Sequence, residues 1–149
     1  YLLFRVFPVQ KGQTVLIHAA AGGVGLIAGQ WANALGATVI GTAGSAEKAE
    51  LARANGYHHV INYRDEPIVE RVKALTDGKG VDLFATRPTL FAYTATRADL
   101  ELSSGRLFDA VGSGKVKIAV NQTFRLADAA EAHKSLESRQ TTGASVLIP

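Results

Sequence analysis

The 149-residue sequence contains no cysteine and no methionine. Without cysteine there can be no disulfide and no thiolate-ligated zinc, an absence that fits a cytoplasmic protein. Methionine is missing even from the first position. The chain opens abruptly on Tyr1-Leu2-Leu3-Phe4-Arg5-Val6-Phe7, which reads as the tail of a helix ended by Pro8, and so as a piece of something longer. No apolar run approaches the ~20 residues a membrane helix needs, and no basic, apolar, small-residue leader is present. Charge of one sign is scarce as well. The net charge is +3 with the basic residues scattered, which makes no case for nucleic acid. There is no His-x₃-His pair and no G-x-S-x-G elbow. His58 and His59 are neighbours on an expected strand, so they point to opposite faces and cannot share a metal. No metal site is expected.

What remains is ordinary for one α/β domain: 47% hydrophobic residues, 19% charged, and enough length to bury a core. The most informative stretch is Val15 to Gly36. An apolar run, Val15-Leu16-Ile17, suits a strand buried on both faces. A small-residue turn follows, then a helical stripe of Val24, Ile27, Ala28, Trp31, Ala32 and Leu35, closed by Gly36. Within it, Ala20-x-Gly22-x-x-Gly25 matches a dinucleotide-binding fingerprint with alanine at the first position. Gly22 would let backbone approach a pyrophosphate, Gly25 would let the helix close on the strand, and the helix N-terminus would face the phosphates. The plainer alternative is a buried strand-to-helix turn that uses small residues only for packing.

The rest of the chain continues the rhythm. A second strand is expected over Ala37–Thr42, and a helix capped by Ser45 and stopped by Gly56. A third strand is expected over His58–Tyr63, then a helix from Asp65 carrying Ile68, Val69, Val72 and Leu75 to a stop at Asp77-Gly78. This is half of a doubly wound parallel sheet. Val81–Thr86 is a fourth strand candidate. Thr96-x-x-Asp99 resembles a capping box opening a helix with Leu100, Leu107, Phe108 and Val111 inward. Gly112-Ser113-Gly114-Lys115 lacks the other marks of a phosphate loop and reads as a helix stop. A fifth strand is expected over Lys115–Val120, a helix over Ala127–Ser138 and a last strand over Ala144–Ile148. Trp31 and Phe108 read as packing residues. His18, at the end of the first strand, reads as packed or hydrogen-bonded close to any cofactor.

An NAD-type site carries a carboxylate at the end of the second strand for the ribose 2′-hydroxyl. Here that place reads Gly41-Thr42-Ala43-Gly44-Ser45, with Lys48 one helical turn on. A neutral loop plus an ammonium suits a 2′-phosphate, which favours NADPH over NADH. A lysine merely solvated on a helix face is the alternative.

AAAGGVG, GTAGSAEK, INYRDE, TRPTL and LESRQTTGASVLIP stand in order along nearly the whole chain. Together they resemble the medium-chain dehydrogenase/reductase superfamily, and within it the zinc-free, zeta-crystallin-like NADPH:quinone oxidoreductases. The resemblance implies an α/β, Rossmann-like parallel sheet with flanking helices. It implies cofactor contacts from Ala21, Gly22, Gly23 and Val24 at the pyrophosphate, from Gly44, Ser45 and Lys48 at the 2′-phosphate, from Tyr63 at the adenosine end, and from Arg139. It also implies hydride transfer to a quinone, and a homodimer through the Leu83–Thr86 strand. Two departures accompany it. The separate catalytic domain of family members is not expected within these residues, and Val81-Asp82-Leu83-Phe84 looks like a splice that removes roughly 45 residues and leaves the second mononucleotide half incomplete. Residues 1–149 are thus expected to form a single Rossmann-like nucleotide-binding domain, a fragment of a longer two-domain reductase with its adenosine half intact and its nicotinamide half damaged. The alternative is an inactive nucleotide-binding or dimerisation module. No general acid or base can be named.

Overall fold

The computed structural model describes residues 1–85 and 94–149. Four parallel strands form the central sheet: β1 (Thr14–Ile17), β2 (Thr38–Ala43), β3 (His59–Asn62) and β4 (Leu83–Ala85), in the order β3-β2-β1-β4. Consecutive apolar residues in each inner strand feed opposite faces. Val15, Ile17, Val39 and Val60 pack with Ala28, Ala32, Ala49 and Ala52 of α1 (Gly23–Ala34) and α2 (Ala46–Arg53). Leu16, Ile40 and Ile61 pack on the other side with Val72 of α3 (Ile68–Leu75). The sheet is therefore sandwiched, and its order reverses beside β1, where a ligand crevice belongs in this architecture. Asp82 fastens the fourth strand to the first: its amide donates to the Thr14 carbonyl at 2.9 Å, and its carboxylate accepts from the Thr14 amide at 2.7 Å.

The second half is looser. α4 (Arg97–Gly112) begins at Thr96, whose hydroxyl oxygen accepts from the Asp99 amide as a capping box requires. β5 (Val120–Arg125) and β6 (Ala144–Ile148) form a separate two-stranded parallel ribbon, with α5 (Ala129–Glu137) between them. The N-terminal segment Leu2–Val6 is a short π-helix that buries Leu3.

Several expectations need correction. On α1 the buried positions are Gly25, Leu26, Ala28, Gly29 and Ala32, while Val24 is 71% exposed. Around Leu26 the helix packs by small residues, because they allow the closest approach: a Cβ at Gly25 would lie 2.3 Å from the Ala19 carbonyl oxygen. Phe108 is likewise 71% exposed and Leu100 is exposed, so α4 buries only Ala110 fully rather than the expected stripe. Val69 on α3 is exposed, and that helix starts after Pro67 rather than at Asp65. The fifth strand begins at Val120, not Lys115. The Gln30 side chain occupies the backbone of that earlier segment, accepting from the Lys117 amide and donating to its carbonyl. Of the expected Leu83–Thr86 edge, Leu83–Ala85 is β4; Thr86, Arg87 and Pro88 lie outside the described residues.

Candidate functional site

A cleft of about 500 Å³ opens at the C-terminal ends of β1 and β2, within the size range of small-molecule sites. Its floor is the turn between β1 and α1. Ala19 there has a left-handed backbone, φ +52°, a conformation that costs a non-glycine residue about 1–2 kcal/mol. That twist lets the Ala19 carbonyl accept from the Gly22 amide at 2.9 Å and brings α1 in at Gly22. Gly22 has no side chain with which to cap the helix, and the first turn carries no acidic residue. The positive end of the helix is therefore turned to the cleft without a competing side-chain acceptor.

One wall is the end of β2 and the start of α2, with Thr42, Ala43, Gly44 and Lys48 among its lining residues. Ser45 caps α2, accepting from the Lys48 amide at 3.3 Å, which places Lys48 in the first turn at the cleft. Tyr63, from the end of β3, leans over Gly44: a Cβ on Gly44 would sit 2.4 Å from the Tyr63 hydroxyl oxygen. Glu47, exposed on the first turn of α2, does not line the cleft. Its carboxyl is held below the usual range by its own backbone N–H and then by the Ser45 hydroxyl.

The C-terminal segment closes the remaining side. The Gly143 amide donates to the Ala21 carbonyl at 3.0 Å, and Gly22 and Gly143 form an isolated parallel bridge. Arg139 has φ +58°, and its carbonyl accepts from the Lys48 ammonium at 2.5 Å. Together His18, Lys48, Tyr63 and Arg139 supply every titratable side chain in the lining; no carboxylate is among the lining residues.

Of the residues singled out in the sequence, Ala21, Gly22, Gly44, Lys48, Tyr63 and Arg139 come together in this cleft. Gly23, Val24 and Ser45 do not line it. Gly23 opens α1 against Gly143, where a Cβ would meet the Gly143 carbonyl oxygen at 3.0 Å. Val24 lines a separate apolar groove with Ile27, Trp31 and Leu107. Sequence reasoning missed Thr42, Ile68 and Thr141 in the lining, and the partnership of Thr42 with His18. It also missed Tyr57, which supports the floor from below. The Tyr57 hydroxyl donates to the Gly25 carbonyl at 2.6 Å, and burial pushes its phenol well above the usual range. Gly29 and Gly41, both in positions where a Cβ would strike the Tyr57 ring, were the available signal.

Two family models, both described as zinc-binding dehydrogenase, match the chain, one over residues 23–86 and the other over residues 84–147. A quinone oxidoreductase of Salmonella typhimurium is 42% identical over 198 aligned residues, covering 100% of this chain and 61% of the relative. A 2-haloacrylate reductase of a Burkholderia species is 39% identical, with 100% of this chain and 59% of the relative covered. Among solved structures, the Escherichia coli quinone oxidoreductase complexed with NADPH superimposes with a TM-score of 0.91 at 38% identity, over 100% of this chain and 61% of that one. The chain thus spans about 60% of the length of these relatives. The alignment to the Salmonella relative runs longer than the chain itself, so that relative carries a stretch absent here.

Proposed function

The chain belongs to the zinc-binding dehydrogenase family described by those two models, and from that premise we propose that its cleft binds NADPH and that it is the cofactor-binding part of an NADPH-dependent quinone oxidoreductase. One observation carries the reading. Lys48, Arg139, Tyr63 and Gly44 meet the uncapped start of α1 in a single cleft whose lining holds no carboxylate. The start of α1 at Gly22, which lines the cleft, suits a pyrophosphate through the positive end of the helix, with Gly23 and Val24 in the turn behind it. Lys48 and Arg139, with Gly44 and Ser45, suit the 2′-phosphate, and Tyr63 the adenosine. Bound there, NADPH supplies hydride for an electron-poor acceptor such as a quinone.

Zinc does not fit this chain. It has no cysteine, and among the described residues no group of three or more His, Cys, Asp or Glu side chains is placed to hold a metal. The proposed chemistry has no step through a metal. Among the described residues no helix is long and apolar enough to cross a membrane, and a cytoplasmic location belongs to the same proposal. So does a homodimer paired through the outer edge of β4, which closes one side of the sheet.

The internal stretch that the Salmonella relative carries and this chain lacks favours a second reading: a nucleotide-binding module without turnover. Following NADPH absorbance with a simple quinone separates the two. Oxidation above the protein-free rate supports the reductase, binding without oxidation supports the module, and neither binding nor oxidation removes both.

A further inference from the structure

Thr42 is the one fully buried polar side chain among the described residues, 1% exposed at the end of β2. Valine would fill the same space without burying a hydroxyl, and a buried hydroxyl is tolerated only when it is hydrogen-bonded. Its partner is His18 Nδ1, at 2.8 Å. The same imidazole stands edge-on to Phe84 of β4, with ring centroids 4.9 Å apart and planes at 87°. An exposed side chain is thus held on two sides, by a hydroxyl from β2 and a ring from β4, at the end of the strand between them. Nothing in the core requires this. His18 is exposed, lines the cleft, and its Nε2 has no hydrogen-bond partner among the described residues.

Resting on the reading that the cleft takes NADPH, we propose that His18 donates from Nε2 to the cofactor phosphate that carries the nicotinamide ribose, and that Thr42 is the positioning residue that makes this possible. The cleft's layout sets the order. Lys48 and Tyr63 lie on the β2–β3 side, the start of α1 lies in the middle, and His18 sits at β1 against β4. A dinucleotide whose 2′-phosphate is at Lys48 crosses the helix start and reaches His18 with its second phosphate. With the Thr42 hydroxyl donating to Nδ1, the ring proton resides on Nε2, the nitrogen offered to the ligand. The ring's orientation is thereby fixed before the cofactor arrives.

The test is calorimetric binding to the whole chain of three probes: adenosine 2′,5′-bisphosphate, which lacks the second phosphate, 2′-phospho-ADP-ribose, which has it, and NADP⁺. Binding of the bisphosphate by the unaltered chain checks the cleft reading by itself; if none of the three binds, that reading fails, whatever His18 does. Given binding, His18→Ala weakens 2′-phospho-ADP-ribose and NADP⁺ about tenfold, the scale of one hydrogen bond to a charged group, and the bisphosphate less than about twofold. Thr42→Val weakens the same two ligands about threefold and adds nothing in the His18→Ala background, whereas Thr42→Ser, which keeps the hydroxyl, preserves affinity. Equal losses for all three probes, or no loss with any, overturn the proposal. Additive effects of Thr42→Val and His18→Ala overturn the role given to Thr42.

Discussion

The Lys48 ammonium donates to the backbone carbonyl of Arg139 at 2.5 Å, so the first turn of α2 and the loop after α5 meet across the mouth of the cleft. A carbonyl satisfies one of lysine's three donors and cancels none of its charge. The cation is therefore still able to bind a phosphate while it holds the C-terminal segment in place.

Charge reversal at this position follows directly. Lys48→Glu is expected to weaken NADPH by tenfold or more, since about 1.5–3 kcal/mol attaches to a hydrogen bond with a charged group. NADH, which lacks the 2′-phosphate, is expected to lose no more than about threefold. Titration of both cofactors by fluorescence checks the ratio, and equal losses count against a 2′-phosphate at Lys48.

Two glycines of the site separate folding from binding. At Gly25 an added Cβ meets the Ala19 and Ala20 carbonyl oxygens at 2.3 and 2.8 Å, both fixed backbone. Gly25→Ala is expected to cost about 2–4 kcal/mol and to lower the melting temperature markedly. At Gly44 the obstacle is the Tyr63 hydroxyl, the far end of a side chain that is 48% exposed. Gly44→Ala is expected to leave stability within about 0.5 kcal/mol and to weaken nucleotide binding by displacing Tyr63. Thermal melts alongside binding curves distinguish the two.

Tyr57→Phe removes the hydrogen bond to the Gly25 carbonyl under the cleft floor and is expected to cost about 1–2 kcal/mol. The pH dependence has a definite sign. Burial raises the folded-state pKa of this phenol, so above about pH 10 the unfolded chain gives up the proton first and stability falls as pH rises. Below that pH no such loss occurs. Denaturant melts of Tyr57→Phe against the unaltered chain, from neutral to strongly alkaline pH, are expected to converge as the wild-type advantage disappears.

Phe108 projects from α4 and is 71% exposed. Phe108→Ser is expected to change stability by less than about 0.5 kcal/mol, whereas a core phenylalanine would cost several times more. A chemical melt with an unchanged slope verifies this.

Most of the first half was legible in the sequence because its signals are local. Val15-Leu16-Ile17 can only be a doubly buried strand in this pattern, and Gly36, Gly56 and Gly78 all adopt the positive φ expected at their stops. Ser45 and Thr96 cap the helices they were expected to cap. The failures are cases where a distant partner decides. Of the expected α1 stripe of Val24, Ile27, Ala28, Trp31, Ala32 and Leu35, Ala28 and Ala32 are buried and Trp31 and Leu35 pack against the core, but Val24 is exposed. The close approach of α1 to the β1 turn buries Gly25 and Gly29 instead, where the Ala19 carbonyl and Tyr57 leave no room for more. Val116 is buried in a segment that looks like a strand, yet Gln30, 87 residues from Lys117, takes the hydrogen bonds a neighbouring strand would have made. At the cleft, Lys48 and Gly44 could be read from the motif, whereas Thr42 acquires meaning only once β1 and β2 are paired.

The most direct test of the account is a thermal-shift and fluorescence titration of the purified chain with NADPH and NADH in parallel, with Trp31 as the intrinsic reporter. The account predicts saturable binding of NADPH at least about tenfold tighter than NADH, accompanied by a rise in melting temperature, since ligand that binds only the folded state stabilises it. A melting temperature and emission unmoved by NADPH, or equal affinity for the two nucleotides, would contradict it.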